Sequence, residues 1–398
     1  MIRLPTCILT VLTMATISLL AGCGSEGKSA SAPASIQVAA GDNSAVVSFP
    51  MESNVEYWVF YAPSSSLTST NFNTVPGGKV ITSAVSPQLV LGLPNGTPYY
   101  FTVNGRTNNG PGGSGTSLIS VTPRPAGNVW NSGASIVASE LRGVTYGGVF
   151  VVVGANGAMF SSSDGITWTA INYTVASDLN AAFFGIGRYI AVGVGGVVLQ
   201  SSDAITWAPV SSGTSDHLYA GASNGAVYLA VGAKGAFTVS ADAVTWGIGN
   251  AGTSRDLYGL AVGNGLWVAV GANGVIVTSP DTGTWQAVAS PTTSDLKAVT
   301  YSATTGTFVA VGAGGTVVTS PDGVHWTLRA PLSSSTLTGV SYGSQFAAIG
   351  DNGSIFTSVD GITWQSAPSG TTANLRAVAF GSVRFVAAGA AGTNLYAN

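Results

Sequence analysis

The 398-residue sequence predicts an all-β protein, a small β-sandwich followed by a seven-bladed β-propeller. Three observations carry this. Seven tryptophans, Trp130, Trp168, Trp207, Trp246, Trp285, Trp326 and Trp364, recur at gaps of 38, 39, 39, 39, 41 and 38 residues. A period near 40 made of short apolar runs is one blade per repeat. Gly-x-x-Gly recurs seven times in register, from Gly154/Gly157 to Gly389/Gly392, and predicts hairpin turns that need positive φ. No segment of the chain carries a helical pattern.

Each repeat reads as four strands. The innermost begins at a leucine: Leu141, Leu179, Leu218, Leu257, Leu296, Leu337 or Leu375. Two residues on stands Gly or Ala (Gly143, Ala181, Ala220, Gly259, Ala298, Gly339, Ala377), as expected where blades converge on an axis. A second strand such as Phe308-Val309-Ala310-Val311 closes on Gly-x-x-Gly. The third runs into Ser-x-Asp, with tryptophan four residues after the aspartate. The pairs are Asp164/Trp168, Asp203/Trp207, Asp242/Trp246, Asp281/Trp285, Asp322/Trp326 and Asp360/Trp364. The last repeat ends after its third strand, whereas Trp130 precedes the first. The segment around Trp130 is therefore expected to complete the last blade and remove an open sheet edge.

Ser163-Asp164-Gly165-Ile166-Thr167-Trp168 resembles the Asp-box (BNR) repeat of sialidases and other propellers. It lacks one residue between aspartate and tryptophan, and so looks closer to bacterial relatives of photosystem II assembly factors. The resemblance implies structural roles: the six aspartates cap their own turns and the tryptophans supply buried planes.

Residues 34–123 form a separate module, with strands at 35–39, 45–49, 56–61, 88–93, 99–106 and 117–122. Leu93-Pro94-Asn95-Gly96-Thr97-Pro98-Tyr99 resembles the tyrosine corner of fibronectin type III domains, in which the tyrosine hydroxyl bonds back to nearby backbone. Phe49 stands where that family has tryptophan. The module lacks Arg-Gly-Asp and is expected to act as a spacer. Pro123–Gly127 reads as a stiff linker, with the propeller over 128–398.

Residues 1–22 read as a signal peptide, with Arg3 before a short apolar stretch from Ile8 to Leu20. Leu20-Ala21-Gly22-Cys23 resembles the lipobox of bacterial lipoproteins, which implies a lipid on the Cys23 thiol. Residues 23–33 read as a flexible tether. The mature chain is expected to be secreted across the inner membrane and held at the cell envelope, with Gly24 resembling outer-membrane lipoproteins.

Composition narrows the function. With the signal removed, 12 basic and 16 acidic residues give a net charge of −4, and only 7% of all residues are charged. That gives no case for nucleic acid. Cys23 is the one cysteine of the mature chain, and His217 and His325 lie far apart, so no metal site or cofactor is expected. The chemical asymmetry lies in the residue after each inner leucine: Arg142, Asn180, Tyr219, Tyr258, Lys297, Thr338 and Arg376. Asp178, Asp256 and Asp295 stand one residue before three of these leucines.

These residues are expected to ring one mouth of the channel as a binding rim, the tyrosines offering flat faces and the arginines suiting an acidic group. The function expected is a non-catalytic scaffold for an envelope protein or glycan. The alternative is a glycoside hydrolase using the aspartate ring. Glu140 is the propeller's one glutamate, whereas sialidases need a central tyrosine–glutamate pair with an arginine cluster in six blades.

Overall fold

The computed structural model describes residues 28–108, 110–173 and 175–397, so the expected signal segment and Cys23 lie outside it. The chain divides into two compact units at Arg124/Pro125. Among the described residues no helix is long and apolar enough to cross a membrane.

The first unit has eight strands: β1 (Lys28–Ala30), β2 (Gln37–Gly41), β3 (Ser44–Ser48), β4 (Glu56–Ala62), β5 (Lys79–Ala84), β6 (Gln88–Leu91), β7 (Tyr99–Thr107) and β8 (Ile119–Val121). Five make one sheet, in the order β1-β7-β4-β5 with β8 also on β7, and β2-β3-β6 make the other. Alternate residues of both sheets, including Val47, Val90, Tyr57, Val59, Phe101 and Val103, fill one core.

Three expectations for this unit are corrected. Lys28–Ala30, within the expected tether, pairs with Gly105–Thr107; pairing through the backbone alone leaves no pattern in so short a polar segment. β5 has no counterpart among the expected strands, because this edge strand buries only Ala84 and shows no clear alternation. The hydroxyl bond implied for Tyr99 is not formed to any described residue. Asn95 ties the corner instead: its Oδ1 accepts the Asn43 N–H at 2.9 Å, and its amide donates to Asp42 at 2.8 Å.

The second unit is seven four-stranded antiparallel sheets, a seven-bladed propeller. The first blade runs Leu141–Tyr146, Phe150–Gly154, Met159–Ser162, Thr169–Ala170, and five more repeat it. The seventh takes its outer strand from β9 (Trp130–Ser132), which pairs with Leu395–Ala397. Trp130 packs on Phe385 with ring centroids 6.2 Å apart, and its indole N–H donates to Gly127 O at 2.7 Å. The linker expected over Pro123–Gly127 is divided between the units. Arg124 N–H donates to Gly41 O in the first, whereas Ala126 is fully buried in the propeller and accepts from Gln345 Nε2 at 2.8 Å.

Blades pack through aliphatic layers, and the axis is crowded as the small-residue pattern implies. A Cβ on Gly143 would stand 2.8 Å from the Ala181 Cα of the next blade. The Gly-x-x-Gly turns differ from expectation in one respect. Positive φ falls on the third and fourth residues (Asn156, 56°; Gly157, 68°), whereas the first glycine is extended. That first glycine is needed for space, since a Cβ on Gly154 would collide with Glu140 O.

Each of the six Ser-x-Asp turns is closed in one way. Asp203 Oδ1 accepts from Ile205 N at 2.8 Å, Thr206 N at 2.7 Å and Ser201 Oγ at 3.0 Å. The backbone bonds hold its carboxyl down at about 2, and Asp242 is held there in the same way. His325 joins one such turn through Nδ1, 2.7 Å from Asp322 Oδ2.

Candidate functional site

Register decides where the rim residues go. In the first blade Leu141 pairs with Gly154 and Gly143 with Val153, so Arg142 is an unpaired bulge residue. The same shift occurs at Asn180, Tyr219, Tyr258, Lys297, Thr338 and Arg376. A bulge leaves the extra residue out of the ladder and re-aims its side chain. All seven line one cavity of about 200 Å³ at the channel mouth, floored by the small inner-strand residues. The chain pattern marks these residues; the bulge that exposes them has no local sequence signal.

The acidic residues of the ring are built into the frame. Asp178 Oδ1 accepts the Asn156 N–H of the preceding blade's turn at 2.8 Å. Asp256 does so for Lys234 at 2.9 Å and Asp295 for Asn273 at 2.8 Å. His217 Nδ1 accepts from Gly195 N, and Asn374 Oδ1 from Asn352 N, each at 2.9 Å. The backbone carbonyl of each of these residues meanwhile accepts from the turn of its own blade, as Asp295 O does from Ala313 N at 2.9 Å. One residue thus locks two blades together. The turn hydrogen bonds are the main reason the carboxyls of Asp178 and Asp295 lie below their ordinary range, with Arg142 and Lys297 adding to the effect.

The arginines do not stand open for an acidic group, which corrects the expectation for them. Glu140 bridges both, 2.7 Å from Arg376 Nε and 3.0 Å from Arg142 Nε. Arg376 also meets Asp351 at 2.7 Å, and Arg142 meets Asp178 at 2.8 Å. Burial pushes the Glu140 carboxyl up, but the two arginine hydrogen bonds outweigh it and hold the carboxyl low. Two cations face three carboxylates in this chain of ion pairs, which crosses the ring closure. Asn180 and Thr338 are similarly engaged, donating to Leu218 O at 2.9 Å and Leu375 O at 2.7 Å.

The tyrosine sector is different. Tyr219 and Tyr258 lie 5.6 Å apart at a tilt of 54°, half-buried. Lys297 Nζ stands 4.0 Å over the Tyr258 ring and 3.0 Å from Asp295 Oδ2. Burial pushes both phenols up, and the field of Asp256 adds to it in each case.

The hydrolase alternative loses its footing in this arrangement, because the ring aspartates are held by turn amides and mostly by cations. Among the described residues no group of three His, Cys, Asp or Glu side chains could hold a metal. The opposite face carries the Ser-x-Asp turns, with Ile205 70% exposed.

Comparison with known proteins gives one kind of result. No family model matches the chain, and no curated protein matches it. Among solved structures it is similar to YCF48 bound to D1 peptide, with a TM-score of 0.58 and 18% identity over 68% of this chain and 94% of that one. It is also similar to YCF48 from Cyanidioschyzon merolae, with a TM-score of 0.56 and 18% identity over 67% and 98%. At this identity the likeness establishes the fold, a β-propeller of the YCF48 kind.

Proposed function

We propose that this protein is a non-catalytic scaffold that holds a segment of a partner protein at the mouth of its propeller. The observation that carries the reading is the ring of seven bulges, which turns side chains of five kinds toward one shallow cavity. The leucine before it is the same in every blade, whereas this position changes from blade to blade. The peptide-bound state of the similar YCF48 propeller supports a protein segment as the occupant. A glycan is less favoured, because Lys297 already covers one face of Tyr258.

The setting belongs to the same proposal. A lipid on Cys23 would tether the chain at the cell envelope, in the outer membrane on the reading of Gly24. The first unit would serve as a fibronectin-like spacer that presents the propeller.

Site-specific photocrosslinking in native envelopes tests the rim. A crosslinker at position 219 should capture a discrete partner, and one at position 205 on the opposite face should not. Capture from 205 alone would overturn the reading. Cys23→Ser should release a folded protein from the membrane fraction; retention there would overturn the anchor.

A further inference from the structure

The blades repeat closely enough that one sector of the rim describes what its neighbour can hold. In the fourth and fifth blades, Tyr258 and the next blade's Asp295 enclose an ammonium group, that of Lys297. Ring face and carboxylate act together there, since a cation is drawn to the quadrupole of the ring and to the negative oxygen. One blade earlier the same two places are taken by Tyr219 and Asp256, again 37 residues apart. The residue equivalent to Lys297 is now Tyr258, so no lysine of this chain serves the pair.

Asp256 is unusual among the rim carboxylates for this reason. Glu140, Asp178, Asp216, Asp295 and Asp351 each stand within ion-pair distance of an arginine or lysine. Among the described residues Asp256 has no such partner, although Arg255 is next to it in the chain. Its Oδ1 is held by the Lys234 N–H, and its Oδ2 makes no hydrogen bond to a described residue. The ring of Tyr258 lies 5.6 Å from that of Tyr219, and both line the cavity at the channel mouth.

We infer that Tyr219, Asp256 and Tyr258 form a pocket for a cationic side chain, a lysine or arginine, contributed by the bound protein segment. This rests on the proposed binding role of the rim and names the chemistry of its partner. It assigns attraction to the tyrosine sector and leaves the arginine sector, already neutralised by three carboxylates, as part of the frame.

The test uses three short capped peptides of one Gly/Ser sequence, with a central lysine, norleucine or glutamate. The rings of Tyr219 and Tyr258 are followed by NMR as each peptide is added to the intact protein. The lysine peptide should shift both rings saturably, at least tenfold more tightly than norleucine. Asp256→Asn keeps the acceptor for the Lys234 amide, as Asn374 does for Asn352, and should weaken the lysine peptide about tenfold at an unchanged melting temperature. Tyr219→Phe should bind like the parent, whereas Tyr219→Leu should lose about three- to tenfold, the range of a partly desolvated cation–π contact.

Equal response to norleucine or glutamate would overturn the cationic assignment while leaving the rim a binding surface. The assignment fails in the same way if no peptide shifts the tyrosines although the crosslinker at 219 captures a partner. Silence in both experiments would overturn the assignment and the binding role together.

Discussion

The backbone N–H of Asn273 donates to Asp295 Oδ1 at 2.8 Å, across the boundary between two blades. The residues are 22 apart in the chain, and the same interval separates all five such pairs. The charged rim is in its acidic half a set of rivets. Replacing Asp295 by Ala should cost about 1–2 kcal/mol, the loss of a charge-assisted hydrogen bond with its donor left unpaired. Asp295→Asn should recover most of that. Calorimetric melting of the three proteins is the check, and equal midpoints for Ala and Asp would remove the rivet.

Strain is stored at the box turns. The residue after each box aspartate has positive φ, and glycine serves in three blades (Gly165, 72°; Gly323, 79°; Gly361, 73°). Thr282 occupies the same place with φ of 66° and a β-branched side chain. Thr282→Gly should stabilise the propeller by about 0.5–1 kcal/mol, because the left-handed region is costly for any residue with a Cβ. Urea unfolding measures it; a lower midpoint would contradict the argument.

The closing strand should matter more than its three residues suggest. Trp130 is buried against Phe385 and anchors the edge that completes the last blade. Trp130→Ala should cost about 3–5 kcal/mol, the usual range for removing a large buried aromatic. Proteolysis should then begin in the last blade, and a variant cut first elsewhere would point to a different weak seam.

Acid stability follows from the boxes. The folded carboxyls of Asp203 and Asp242 titrate at about 2, against about 4 when unfolded. A depressed carboxyl contributes stability that is present above the unfolded value and is lost as pH falls through the folded one. The melting temperature should therefore fall between about pH 4 and pH 2. The double variant Asp203→Asn, Asp242→Asn should show a smaller fall across that window. An identical fall would assign the acid sensitivity to other groups.

The repeat makes the architecture legible: tryptophan spacing, the leucine and the turn glycines are each local signals, and Trp130 announces the ring closure. The site is legible only as a set of positions. Arg142 and Arg376 can be placed in neighbouring blades, but their shared partner Glu140 and the Asp351 carboxylate meet them only through tertiary packing. The rivets are hidden for a related reason, since a 22-residue interval between blades has no meaning until the sheets are stacked. In the first unit β1 and β5 leave no sequence signal because edge strands held through the backbone need no hydrophobic alternation.

The pairing of Trp130–Ser132 with Leu395–Ala397 also sets an order of events. Its two partners stand at opposite ends of the propeller sequence, so this contact of long sequence separation closes after the local hairpins have formed. Until then both ends of the growing ring are open sheet edges, the kind that invite foreign strands or proteases. A protein that lacks either partner keeps both edges open, so the protection of the last blade depends on the first strand of the propeller.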